Sequence, residues 1–111
     1  MPKKYLRKNE FRIDNNPNNF GKDKKPHPAY ITARHGHQYK ANSITHSRTI
    51  NGNRNYLINE NPNKLSKDKR KTRISAPYWQ NENYFSKETL DNFRFSKKTR
   101  SQIKKINKRY K

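Results

Sequence analysis

Between residues 26 and 85, apolar and aromatic residues recur at short spacing between turn residues, a pattern that predicts a set of short strands. Such strands limit the chain to a small sheet-based domain, because a core assembled from short apolar runs is thin. Only 27% of the chain is apolar, and it contains no cysteine, so stability has to come from packing without disulfides or cysteine-bound zinc.

Local signals divide the segment further. Residues 29–33 have the aromatic and β-branched content of a strand, Arg34-His35-Gly36-His37 can reverse the chain, and residues 38–47 return as a second strand. Asn51-Gly52 is a two-residue turn signal, with Thr49-Ile50 before it and Tyr56-Leu57-Ile58 after it as strands. Residues 64–73 read as a basic loop and residues 74–79 as a last strand, which Pro77 places at an edge or an end. Residues 86–90 predict one helical turn. Ser96 is the expected N-cap of a terminal helix, on which Ile103, Ile106 and Tyr110 form a narrow apolar stripe among lysines. Residues 1–25 are basic and asparagine-rich, with too few apolar residues to order themselves, and predict a mobile arm. Residues 26–111 are then a single small domain with a C-terminal basic helix.

Twenty-eight lysines and arginines face eight carboxylates, for a formal charge of +20. A potential of this sign attracts polyphosphates, so RNA, or DNA, is the expected partner. Basic segments that bind membranes pair their charge with a wide apolar helix face, which is missing here. No window approaches the roughly 20 apolar residues of a spanning helix, and the first residues lack the apolar run of a signal peptide. A cytoplasmic location is expected. Residues 94–111 hold nine basic residues and no acid, the steepest charge feature of the chain. Lys67, Lys69, Arg70, Lys71, Lys97, Lys98, Arg100, Lys104 and Lys105 are assigned to RNA contact. Such runs are solvated faces in ordinary proteins, but this excess exceeds what solubility requires. Tyr78 and Trp79 are candidates to stack on unpaired bases.

All four histidines lie between residues 27 and 46, in a stretch without a carboxylate. Histidine can both give and take protons near neutral pH. This points to metal-independent cleavage of RNA through its own 2′-hydroxyl: a base removes the 2′ proton, a cation holds the phosphorane, and an acid protonates the departing 5′ oxygen. His27 and His46 are the candidates for base and acid, because adjacent strands ending near each other would bring them to one cleft. Arg73 or Arg70 would be the cation. His35 and His37 belong to the opposite end of the hairpin. Without a third ligand they make a weak metal site, and no metal or cofactor is assigned. His27 before a proline and His46 between Thr and Ser equally suit turn or strand-end roles.

The run His27-Pro28-Ala29-Tyr30-Ile31-Thr32, a polar turn, and Asn42-Ser43-Ile44-Thr45-His46-Ser47 resembles the PemK/MazF family of endoribonuclease toxins. In that family an Arg-Pro-apolar strand precedes a strand ending in Ile-Thr. Residues 74–78, a connector and residues 90–103 are similar to the family's last strand, linker and closing helix. The resemblance implies an α+β fold, a small SH3-like β-barrel with a C-terminal helix. It makes Thr45 the counterpart of the family's catalytic threonine, which would hydrogen-bond a phosphate oxygen. His27 stands where the family has its catalytic arginine, and histidine, unlike the permanently protonated guanidinium, can accept a proton. The family's first strand is not expected here, because residues 5–13 are charged. The resemblance further implies an acidic antitoxin as partner and a homodimer. Two functions follow: a toxin-like endoribonuclease, or a non-catalytic basic RNA- or DNA-binding protein of a phage, plasmid or other mobile element.

Overall fold

The structure, a computed structural model, describes residues 9–17, 26–50 and 52–110. It is an antiparallel sheet of several strands with one C-terminal helix. The expected hairpin forms its centre, with β2 at His27–His35 and β3 at Gln38–Thr45. Its loop is two residues long, Gly36-His37, and Gly36 takes a φ of +61°, a left-handed conformation that disfavours a residue with a Cβ.

β3 organises the rest. One edge pairs with β2; the other pairs with β7 (Thr72–Ile74) at its end and with β8 (Tyr78–Asn81) at its beginning. The single strand expected over residues 74–79 is therefore two. Between Ile44↔Ile74 and Ala41↔Tyr78 the incoming chain has one residue more than β3, and Pro77, with no N–H to give, falls in that gap. β7 also pairs with β6 (Tyr56–Ile58). The strands expected on either side of Asn51-Gly52 are thus not partners. Thr49–Ile50 (β4) pairs with Asn53–Arg54 (β5) in a separate two-stranded ribbon.

A larger correction concerns the arm. Phe11–Asp14 forms an edge strand, β1, antiparallel to β2, inside the segment expected to be mobile; residues 1–8 and 18–25 lie outside the described residues. Its charged residues find partners more than sixty positions away. Tyr78 Oη and Gln80 Nε2 donate to the fully buried Asp14 carboxylate at 2.6 and 3.0 Å, and Arg12 donates to the carbonyls of Ser86 and Lys87. These hydrogen bonds offset much of the cost of burying the two charges, although Arg12 Nε finds no partner among the described residues, so composition alone misjudges the strand. The helical turn expected over residues 86–90 also does not form; a 3-10 turn at Glu82–Tyr84 precedes it. Ser86 Oγ instead accepts from Ile13 N at 2.9 Å, and Ser86 N and Leu90 N donate to the carbonyls of Ile13 and Phe11.

Alternation along the strands makes two clusters. Ala29, Ile31, Tyr39, Ala41 and Phe85 fill one face. Phe11, Tyr30, Ile44, Ile58 and Ile74 form the other, closed by Phe95 and by Ile103 and Ile106 of α1 (Lys97–Asn107). Ser96 caps α1 as expected, its side chain accepting from Thr99 N. Tyr110, placed on the stripe by spacing, lies beyond the helix end and bonds Tyr56 instead. The helix is fixed by two anchors that periodicity could not reveal. Asn107 and Asn42 exchange buried amide hydrogen bonds at 2.9 and 3.0 Å, and Glu60 accepts from Ser96 N at 2.8 Å. A carboxylate there also opposes the positive end of the helix dipole. Burial pushes the Glu60 carboxyl up, but hydrogen bonds from Lys64, Ser96 and Thr99 together bring it down to about 2. No helix among the described residues is long and apolar enough to cross a membrane.

Candidate nucleic-acid interface

The strand-end residues assemble in part. Thr45 and Arg73 are register partners on β3 and β7. The β2–β3 ladder ends at Ala29↔Ser43, next to the donor-less Pro28; two residues further along the two strands are His27 and Thr45. Directly opposed residues of antiparallel strands share a face, so this register assigns His27, Thr45 and Arg73 to one side of three neighbouring strands. His27 is half-buried, pairs across β1 with Asp14, and Thr45 is buried. The Thr45 hydroxyl accepts from Ser47 N at 3.1 Å, and Arg73 donates to the His46 carbonyl at 3.0 Å.

His46 turns elsewhere. Its Nδ1 meets the Lys71 carbonyl at 3.1 Å, which requires that nitrogen to carry the hydrogen, and its Nε2 lies 3.4 Å from the Asp68 carboxylate. The histidine-rich stretch has no carboxylate of its own, yet the fold delivers two to it: Asp68 to His46, and Glu82 to His37 at 2.9 Å. His35 and His37 sit at the hairpin tip, at the other end of β2 and β3 from His27, and His35 is exposed. Among the described residues no group of three or more histidines and carboxylates could hold a metal.

The basic loop is partly neutralised. Asp68 holds Arg70 at 2.6 Å, and Glu60 holds Lys64 at 2.7 Å. Hydrogen bonds from the Arg70 side chain and backbone keep the Asp68 carboxyl well below the usual range, despite some desolvation. Lys69, Arg70 and Lys71 border a cavity of about 380 Å³ that Asp68 and Glu60 also line; Lys67 is exposed outside it. Tyr78, expected beside Trp79 as a stacking residue, instead turns inward. Its hydroxyl serves Asp14 and Ser43, and burial, with the Asp14 charge and hydrogen bond, pushes it well above the ordinary phenol range. Trp79, next in sequence, points the other way and is 49% exposed.

The strongest concentration of available charge lies on the helix side. A cavity of about 510 Å³ opens between α1 and the hairpin, walled by Lys97, Arg100, Lys104 and Lys108 on one side and Lys40 on the other. The floor includes Tyr30, Ala33 and Ile103. Among the described residues no carboxylate lines it, and no lysine or arginine of α1 forms an ion pair. Burial raises the Tyr30 hydroxyl to about 12, partly opposed by Arg100, and that hydroxyl donates to Asn9 at 2.6 Å. Lys97, Arg100 and Lys104 are expected from the sequence and Lys108 is not, although its spacing continues the three- and four-residue steps that mark one helical edge. Lys98 and Lys105, assigned with them, are exposed on other sides of α1. Lys40 had no local signal at all; only the packing of α1 over β3 makes it a wall. Comparison with protein-family models, with curated proteins and with solved structures returned no match to this chain.

Proposed function

We propose that the chain is a nucleic-acid-binding protein whose phosphate contacts come from the cleft between α1 and the β2–β3 hairpin. The supporting observation is the row Lys97, Arg100, Lys104 and Lys108, faced by Lys40, with no carboxylate in the lining among the described residues. Along a helix those steps are about 4.5–6 Å apart, a spacing that suits successive phosphates of one strand. Cations without local partners release the most counterion when phosphate arrives, so binding should be strongly salt-dependent. The test is fluorescence anisotropy of a labelled single-stranded RNA titrated with the protein between 50 and 200 mM salt. The expected plot of log affinity against log salt is linear, with a slope of about −3 to −4 for five neutralised phosphates. No saturable binding at the lowest salt would remove this reading.

A second reading, cleavage of the bound RNA, is favoured by the common face assigned to His27, Thr45 and Arg73. It belongs with the resemblance to PemK/MazF toxins, and with the SH3-like barrel, acidic antitoxin and homodimer that resemblance implies. The backbone hydrogen bonds that Ser86 N and Leu90 N donate to β1, with that from Asn15 N to the Tyr84 carbonyl, join the segment after β8 to the first strand and support the barrel. In this reading His27 takes the 2′ proton, the 2′ oxygen bonds phosphorus, the bond to the 5′ oxygen breaks, and an acid returns a proton to that oxygen. Thr45 and Arg73 hold the phosphorane oxygens. The His46 imidazole, turned to the Lys71 carbonyl and to Asp68, stands apart from that face, so in this reading water supplies the proton to the leaving oxygen. Labelled RNA incubated in EDTA should yield 2′,3′-cyclic phosphate and 5′-hydroxyl ends, lost in His27→Ala. RNA left intact across several sequences eliminates the cleavage reading and leaves binding alone.

A further inference from the structure

We propose that Trp79 is a base-stacking platform at the edge of the α1 cleft, making the site selective for unpaired nucleic acid; this rests on the nucleic-acid-binding reading above. Three observations carry it. β8 presents Tyr78 and Gln80 inward, tied to Asp14, which leaves Trp79 on the opposite face, 49% exposed. In the β3–β8 ladder Trp79 lies directly across from Lys40, and across β3's other edge Lys40 is paired with Ala33. Lys40 and Ala33 both line the cleft. Directly opposed residues share a face, so Ala33, Lys40 and Trp79 form a row across three strands, each step about 4.8 Å. The indole is thus a direct neighbour of one of the cleft's cations.

An exposed indole in that position has a specific use. An aromatic face beside phosphate-binding cations accepts a nucleobase by stacking, whatever its identity, and such contacts typically contribute about 1–3 kcal/mol per base. A duplex cannot supply that base, because its faces are covered by the neighbouring pairs. A polyphosphate without bases would use the cations and leave the indole untouched. The arrangement therefore separates two contributions within one surface: phosphates on Lys40 and the α1 edge, and one unpaired base on Trp79.

Trp79 is the only tryptophan of the chain, so its own fluorescence reports the contact. The experiment titrates the full chain with oligouridylate, with a duplex RNA, and with inorganic polyphosphate. Oligouridylate is expected to quench the tryptophan emission at saturation, whereas polyphosphate binds without quenching. Trp79→Ala should lower affinity for oligouridylate about tenfold, with duplex and polyphosphate affinity and the salt slope unchanged, and Trp79→Phe should restore most of the loss. Circular dichroism of both variants checks that the sheet is retained. Oligouridylate binding with neither quenching nor a Trp79→Ala effect overturns the stacking role while leaving the nucleic-acid reading standing. Failure of all three probes to bind overturns both.

Discussion

Two basic regions of this molecule, the loop at residues 64–73 and α1, have similar sequence character and different chemical availability. Between residues 64 and 73 the fold places Asp68 against Arg70 and His46, and Glu60 against Lys64. Along α1 no carboxylate answers among the described residues, and Lys40 adds a further cation across the cleft. Formal charge is thus a poor guide to phosphate binding. What matters is which cations are left unpaired after folding, since a paired cation must exchange its carboxylate for phosphate at little net gain.

The contrast can be broken most directly by charge reversal. Replacing Lys97, Arg100 and Lys104 together with glutamate should lower RNA affinity by about a hundredfold or more and flatten the salt slope by about 2, whereas Lys69→Glu with Arg70→Glu should cost only a few-fold. Equal losses from the two sets, read by anisotropy at fixed salt, would show that the pairing makes no difference.

The next largest effect concerns the docking of α1, on which the cleft depends. Asn42→Ala leaves the buried Asn107 amide without its partner and Ser75 O without a donor, and should cost about 2–3 kcal/mol in urea unfolding. Ile103→Ala, at the centre of the same interface, should cost a comparable or larger amount, about 2–5 kcal/mol. If both variants unfold at the wild-type midpoint, the helix is not held as described.

Glu60 sharpens the comparison through pH. Its folded value of about 2 lies below its ordinary 4.5, so the stabilisation it brings to the α1 N-terminus is present above 4.5 and is lost as the pH falls toward 2. After allowance for solvent screening of a partly exposed group, this is about 1 kcal/mol. Unfolding curves of wild type and Glu60→Gln should therefore converge as the pH falls through that window; parallel curves would contradict the anchor. The smallest effect is expected from Asp68→Asn, which releases Arg70 and His46 and should raise RNA affinity about two- to threefold while steepening the salt slope by less than 1. A loss of affinity would mean that the loop's ion pairs position its cations rather than neutralise them.

Much of the fold was legible. The β2–β3 hairpin follows from its strand-forming runs and Gly36, and α1 from Ser96 and the Ile103–Ile106 spacing. β1 was not, because its polar residues draw on Tyr78, Gln80, Ser86 and Lys87 from the far end of the chain as well as on their neighbours Glu10 and Asn16. The site divides in the same way. Lys97, Arg100 and Lys104 declared themselves by composition, but nothing local distinguished Trp79 from Tyr78. One faces out beside Lys40 and the other bonds Asp14, and strand pairing sets that difference.

By itself, then, the sequence determined the kinds of element and the sign of the molecule's charge, since helix caps, turn residues and side-chain periodicity act over a few positions. Local ion pairs such as Asp68–Arg70 and Glu60–Lys64 were within its reach as well, but only the tertiary structure decided which carboxylates meet the histidines and the helix N-terminus, which cations face the cleft and which aromatic is exposed. Asp68, Glu60 and Glu82 reach His46, Ser96 and His37 through contacts between segments distant in sequence. No local pattern encodes such contacts, because they arise when the sheet and the helix close on one another.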